Sequence, residues 1–157
     1  EKFSDKSFVF KYLDLLNSEL PTTDLVFCRD CLVHFSYKDI LRSIARIKKS
    51  NSKYLFTTTF PGRINRDIIT GNWRPIDLQK FPFYFPKPIE LHNEQCREFN
   101  GIYSDKSLAL WSIEKIKLYK FRFLLFLIPL YRFAKYLKEA VKRRIKSNFE
   151  RQHIAVL

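Results

Sequence analysis

The stretch that most constrains this chain runs from Asp24 to Gly62, DLVFCRDCLVHFSYKDILRSIARIKKSNSKYLFTTTFPG, because it reads as strand, turn, helix and strand in that order. Leu25-Val26-Phe27-Cys28 is a short apolar run behind the turn signal Pro21-Thr22-Thr23-Asp24, the length of a buried strand. Ser36 stands before a helical pattern with Asp39 three residues on, a pairing that caps a first turn. Ile40, Leu41, Ile44, Ala45 and Ile47 recur at helix spacing, while Lys38, Arg42, Arg46 and Lys49 fall largely on the other side. Lys48 and Lys49 suit the negative end of a helix, and Ser50-Asn51-Ser52 ends it. Lys53 to Phe60 is a second strand, stopped by Pro61-Gly62. Two apolar strands joined by a helix of this length form a βαβ unit, which predicts parallel pairing and a sheet covered by helices.

Open sheets of this kind bind ligands beyond the carboxyl ends of their strands. Those ends carry Cys28-Arg29-Asp30, with His34 a turn later, and Thr57-Thr58-Thr59. Arg, Asp, His and Thr gathered at one edge supply donors, acceptors and a proton carrier. The competing reading is an Arg29–Asp30 pair that only closes the loop.

A chain of 157 residues is long enough for one domain with a real core. With 17% aromatic residues but only three Gly and seven Pro, it is neither fibrous nor low-complexity. Cys28, Cys31 and Cys96 lack metal-ligand spacing, and the Cys28-x-x-Cys31 pair has no second pair behind it. They read as small buried side chains in a reducing compartment, with no metal site. No signal peptide and no membrane-spanning apolar run is present, which predicts a cytoplasmic location. Without Met, and starting at Glu1, the chain reads as a processed product or a partial reading frame.

Upstream of the βαβ unit, Phe8-Val9-Phe10-Lys11-Tyr12-Leu13 is a strand candidate ending at Asp14-Leu15-Leu16. Downstream, Gly62 to Pro88 is rich in turn residues and holds Pro75, Pro82, Pro86 and Pro88. Its aromatic residues Trp73, Phe81, Phe83, Tyr84 and Phe85 predict an ordered cover over the strand ends. Ile89 to Glu94 and Lys106 to Ile113 read as two further strands, linked through Asn100-Gly101 as an antiparallel hairpin.

Charge divides the chain into residues 1–113 and residues 114–157. The formal charge is +13, and from Ser112 onward twelve Lys and Arg face three Glu, a net +9 that leaves +4 for the rest. In this tail the apolar run Phe123 to Leu130 is interrupted by Pro129. Leu130, Phe133, Ala134, Leu137, Val141 and Ile145 then share one helical face, with Arg132, Lys135, Lys138, Lys142, Arg143 and Lys146 around it. A basic amphipathic helix of this kind either packs on the sheet or docks on an anionic membrane, which would place the protein at the inner membrane face. No nucleic-acid recognition motif accompanies the charge, so nucleic acid is not an expected partner.

Taken in order, Leu13-Asp14-Leu15, the Asp24 to Asp30 run with Leu32 and His34, a helix, and Lys53 to Thr59 resemble the C-terminal two thirds of a class I S-adenosylmethionine-dependent methyltransferase. The hairpin ending in Ser107-Leu108-Ala109-Leu110-Trp111 resembles that family's last strands, which lie antiparallel to the rest. The resemblance covers Phe8 to Ile113 and implies an α/β fold: a partial Rossmann-like sheet, mostly parallel, with an antiparallel C-terminal hairpin. A methyltransferase of this kind would move a methyl group from S-adenosylmethionine to a small-molecule or glycan acceptor. By the same resemblance Asp14 and Leu15 would contact the adenine, with Cys28 and Arg29 bordering the methionine end of the cofactor. Asp30 and His34 would face the acceptor as catalytic residues, His34 as a general base. Arg29, Thr59, Trp73 and Arg74 are the candidate acceptor-binding residues.

The chain departs from the family where the cofactor is normally wrapped. Gly occurs only at 62, 71 and 101, so no glycine-rich loop precedes the Leu25 strand. Phe8 to Leu13 matches the family's third strand, and the first two, which lie between the third and fourth, have no counterpart. With strands ~4.8 Å apart the resulting gap is ~14 Å. The Phe8 segment must therefore pair with the Leu25 edge, stay loose, or await a missing N-terminal segment, and the chain alone should bind the cofactor poorly. A non-catalytic membrane-docking module is the alternative.

Overall fold

Ser36 starts the one long helix among the described residues of the first unit by the local chemistry its sequence announces. Its hydroxyl accepts from the Asp39 N–H at 3.2 Å, and α1 then runs Tyr37–Lys49. Tyr37, Ile40, Leu41, Ser43, Ile44 and Ile47 are its buried side chains. Each buried isoleucine contributes about 1.5–3 kcal/mol of apolar transfer. Ala45 is exposed and Ser43 takes the inner position, because the Ser43 hydroxyl is satisfied by the Asp39 carbonyl at 2.8 Å. The apolar stripe is therefore rotated slightly from the expected one.

The computed structural model describes residues 8–118, 136–137 and 140–144. The chain divides into two compact units, residues 1–121 and 122–157. The first is an α/β fold around a four-stranded mixed sheet of order β1-β2-β4-β3, with β1 Leu25–Cys28, β2 Tyr54–Thr59, β3 Glu90–Asn93 and β4 Ser107–Ser112. β1 and β2 pair in parallel, Val26 against Leu55. β4 runs antiparallel to both β2 and β3. Three strands thus share one direction and β4 alone is reversed. The hairpin forms as expected, but only one of the three strand pairs is parallel.

Register explains the core. Leu55 faces Trp111 and Thr57 faces Ala109 across the β2–β4 pair, and all four are buried. On the opposite face Phe27 lies beside Phe56, ring centroids 5.7 Å apart, and Leu25, Phe27 and Tyr54 are exposed. The expected cover of helices is thus present on one face only, among the described residues.

The Phe8 to Leu13 strand does not form. The segment has no regular secondary structure, and Phe8, Val9, Phe10, Tyr12 and Leu13 are exposed. A strand needs a neighbour's ladder, and among the described residues β1 pairs only with β2. By contrast, residues 62–88 are well tied down. The Phe60 N–H bonds the Ile76 carbonyl, Gly71 N–H that of His34, and Asn65 clasps Asp77 and the Phe81 carbonyl. Ile76, Leu78, Phe83 and Phe85 are buried, so this segment is an ordered strap with its own share of the core.

The first unit continues past Ile113. Ile113 and Ile116 are buried, and the Lys48 ammonium donates to the Ile113 carbonyl at 2.7 Å. The apolar run 123–130 and most of the basic tail lie outside the described residues, while residues 136–137 and 140–144 are helical. Among the described residues no helix is long and apolar enough to cross a membrane.

Candidate functional site

Reversal of β4 decides what gathers at the carboxyl edge of the sheet. Because Ser107 pairs with both Thr59 and Asn93, the link between β3 and β4 is carried over the ends of β1 and β2. A cleft of about 500 Å3 opens there, lined by Asp30, His34, Phe60, Trp73, Cys96, Glu98, Phe99, Tyr103 and Lys106. Three predicted site residues, Asp30, His34 and Trp73, therefore meet in one cavity. Another cleft, of about 450 Å3, lies at the other end of β2 around Lys48, Asn51 and Ser112 and gathers none of them.

Asp30 occupies a left-handed backbone conformation, φ +52°, which Asp tolerates better than most residues. The turn is held by its N–H, which donates to the Thr58 hydroxyl at 2.8 Å. Its carboxylate accepts from Lys106 Nζ at 2.7 Å, with Arg29 3.6 Å away. Arg29 donates through Nε to Glu94 at 2.8 Å, and Lys106 stands 3.7 Å from the same carboxylate. The second oxygen, Glu94 Oε2, is buried without a hydrogen bond. Two cations and two carboxylates thus fix the cleft wall. Arg29 does pair with Asp30, as the simpler sequence reading held, but within this four-membered network rather than as an isolated loop closure.

His34 ends a short 3-10 turn, Leu32–His34, and is exposed. Its Nδ1 lies 3.1 Å from the Asn72 carbonyl. A carbonyl only accepts, so Nδ1 carries the proton and the neutral ring keeps its free lone pair on Nε2. That tautomer suits a base.

The remaining wall is aromatic. Trp73 and Tyr103 meet edge to face at 4.9 Å, Phe60 lies 6.2 Å from Trp73 and 6.1 Å from Tyr103, and Phe99 lies 5.8 Å from Tyr103. Arg63 braces Tyr103 from behind, 5.8 Å from its ring, while paired to Asp105 at 2.6 Å. Phe60, Phe99, Tyr103, Glu98 and Lys106 were absent from the sequence-based site. For Glu98, Phe99, Tyr103 and Lys106 the available signal was the antiparallel hairpin itself, which returns its link to this edge, and for Phe60 it was the carboxyl end of β2.

Other predicted residues lie elsewhere. Arg74 is fully buried. Nη1 donates to the Leu32 and Val33 carbonyls at 3.0 and 2.8 Å, Nη2 to Phe35 at 2.8 Å and Nε to Arg66 at 3.2 Å. Burial pulls its guanidinium down to about 10, and its donors are engaged by backbone rather than turned to an acceptor. Thr59 is buried too, bonded to the Ile76 carbonyl and the Leu78 N–H. Cys28 lies beneath the edge, its carbonyl accepting from the Thr57 hydroxyl at 2.6 Å. A hydrogen bond from the Cys28 thiol draws the Cys31 thiol down to about 7, and the same contact with burial pushes Cys28 up.

Asp14 and Leu15 belong to a turn that docks on α1 through an Asn17–Arg42 bond of 2.9 Å. The Asp14 carboxylate caps its own turn, one oxygen on the Leu16 N–H at 2.8 Å and the other on the Asn17 amide at 2.6 Å. Those bonds hold the carboxyl below its ordinary value. Neither residue lines the cleft. With Asp14 engaged in its own turn and no glycine-rich loop in the sequence, no cradle for S-adenosylmethionine is formed among the described residues. Among the described residues no cluster of His, Cys, Asp and Glu is arranged to hold a metal ion. Compared with known proteins, the chain matches no family model, no curated sequence and no solved structure.

Proposed function

We propose that this chain supplies the acceptor-binding part of an S-adenosylmethionine-dependent methyltransferase acting on a glycan or a small molecule of similar build. The cleft beyond the carboxyl ends of β1 and β2, where Asp30, His34 and Trp73 converge, is the observation that carries the reading. The sheet with one reversed strand inserted between β2 and β3 supports it.

The cleft's chemistry favours an acceptor with an apolar face and hydroxyls around its rim. Trp73, Tyr103 and Phe99 present ring surfaces to the C–H face of such a ring, and Asp30, Glu98 and Lys106 present acceptors and donors to its hydroxyls. His34 Nε2 is the group that takes a proton from an acceptor hydroxyl, held in place by the Asn72 carbonyl. The methyl donor is to be held by residues that complete the opposite wall.

Two measurements test the proposal. Isothermal titration of residues 1–157 with S-adenosylmethionine should give no tight binding, while saturation-transfer NMR should detect methyl glycosides in the cleft and lose them in Trp73→Ala. Tight donor binding by these residues alone would show the partition of the two sites to be wrong. Absence of any glycoside signal from the intact chain would refute the acceptor class. The coding sequence upstream of Glu1 is a further check: a G-x-G-x-G ahead of an acidic strand end agrees with the proposal, and an immediate stop codon opposes it.

A further inference from the structure

The second unit concentrates charge: residues 122–157 hold nine Lys and Arg against Glu139 and Glu150, net +7 of the chain's +13. In its described part, residues 136–137 and 140–144 are helical, and Tyr136, Leu137 and Val141 are 64%, 46% and 56% exposed. Leu137 and Val141 are four residues apart and so stand on one helix face, a turn from each other. Lys142, Arg143 and Arg144 follow directly and are exposed. In the sequence alone, Leu130, Phe133 and Ala134 before it and Ile145 after it recur at helix spacing.

We propose that the segment carrying Tyr136, Leu137, Val141 and Lys142 to Arg144 docks on an anionic membrane surface. Water leaves the exposed leucine, valine and tyrosine uncompensated, and an anionic bilayer satisfies both halves of the helix at once. Apolar side chains enter the acyl boundary, the tyrosine ring sits at headgroup depth, and the cations meet lipid phosphates and carboxylates. A nucleic acid offers phosphates for the cations but no apolar phase for Leu137 and Val141, so the membrane accounts for more of what is exposed. The proposal is independent of the acceptor reading.

Co-sedimentation of the full chain with vesicles of phosphatidylcholine alone, and of phosphatidylcholine with phosphatidylserine, tests it. Binding is expected to the mixed vesicles only. The Lys142→Glu, Arg143→Glu, Arg144→Glu triple variant should weaken it by about 100-fold or more, each cation near the surface counting roughly fivefold. Leu137→Ser with Val141→Ser leaves the charge unchanged and should weaken it at least about tenfold. All five side chains are exposed, so far-UV circular dichroism of both variants should match the parent. No binding to mixed vesicles, or equal binding to neutral ones, overturns the proposal. So does a serine variant that binds as tightly as the parent while the chain holds duplex DNA with equal affinity.

Discussion

Arg74 offers the sharpest test of how the strap is held. Its guanidinium bridges four main-chain carbonyls inside the core, with the Tyr37 ring 5.9 Å away. Arg74→Met keeps most of the side-chain volume and removes the donors together with the charge over the Tyr37 ring. The Leu32 and Val33 carbonyls retain main-chain donors, the N–H groups of Phe35 and Arg74. The carbonyls of Phe35 and Arg66 rely on the guanidinium. Two stranded part-buried carbonyls, each at the low end of about 1–3 kcal/mol, put the loss near 2 kcal/mol. For a chain of this size that lowers the melting temperature by roughly 4–8 °C, and the urea midpoint by about 1 M for a slope of ~2 kcal/mol/M. Trp73 and Trp111 report unfolding by fluorescence. A loss below about 1 kcal/mol, accompanied by loss of ligand binding in the cleft, would refute the structural role and return Arg74 to the acceptor site.

Cys31 should alkylate with a rate that rises through a midpoint near pH 7, read by peptide mapping after iodoacetamide pulses, because the Cys28 thiol stabilises its thiolate. Cys28→Ser is expected to move that midpoint upward, and an unchanged midpoint would assign the activation elsewhere. Asp105→Asn should cost about 1 kcal/mol at pH 7, or some 2–4 °C, since the Arg63–Asp105 pair is only part-buried. Arg63 holds the Asp105 carboxyl below its ordinary value, so that contribution is complete above about pH 4 and fades as acid protonates the folded form. A difference between parent and variant that stays constant down to pH 2 would contradict this.

Legibility in the sequence followed the range of the interactions. β1, α1 and β2 rest on signals within four residues, the Ser36 cap and the isoleucine spacing among them, and these were readable. Phe8 to Leu13 has the composition of a strand, yet strand formation depends on a neighbour the sequence of that segment does not encode. Arg74 looked like a binding residue because no local pattern reveals that carbonyls some 40 positions earlier converge on it. Thr59 lies outside the cleft lining for a similar reason, its hydroxyl being claimed by the strap at Ile76 and Leu78. Asp30, His34 and Trp73 converge because the edge rule for parallel strands is topological and needs no contact map. Phe99 and Tyr103 reach the cleft on the hairpin link, whose position follows only once β4 is known to sit between β2 and β3.

The border strand β1 has one further consequence. Among the described residues its outer side carries no ladder, while its direction is set by parallel pairing with β2. A new strand joining that seam in the same sense would finish level with Cys28 and Arg29, about 4.8 Å to the side. One joining in the opposite sense would begin there instead. The polarity of whatever zips onto Leu25–Cys28 therefore selects whether a chain end or a chain start is delivered to the mouth where Asp30 and Lys106 meet.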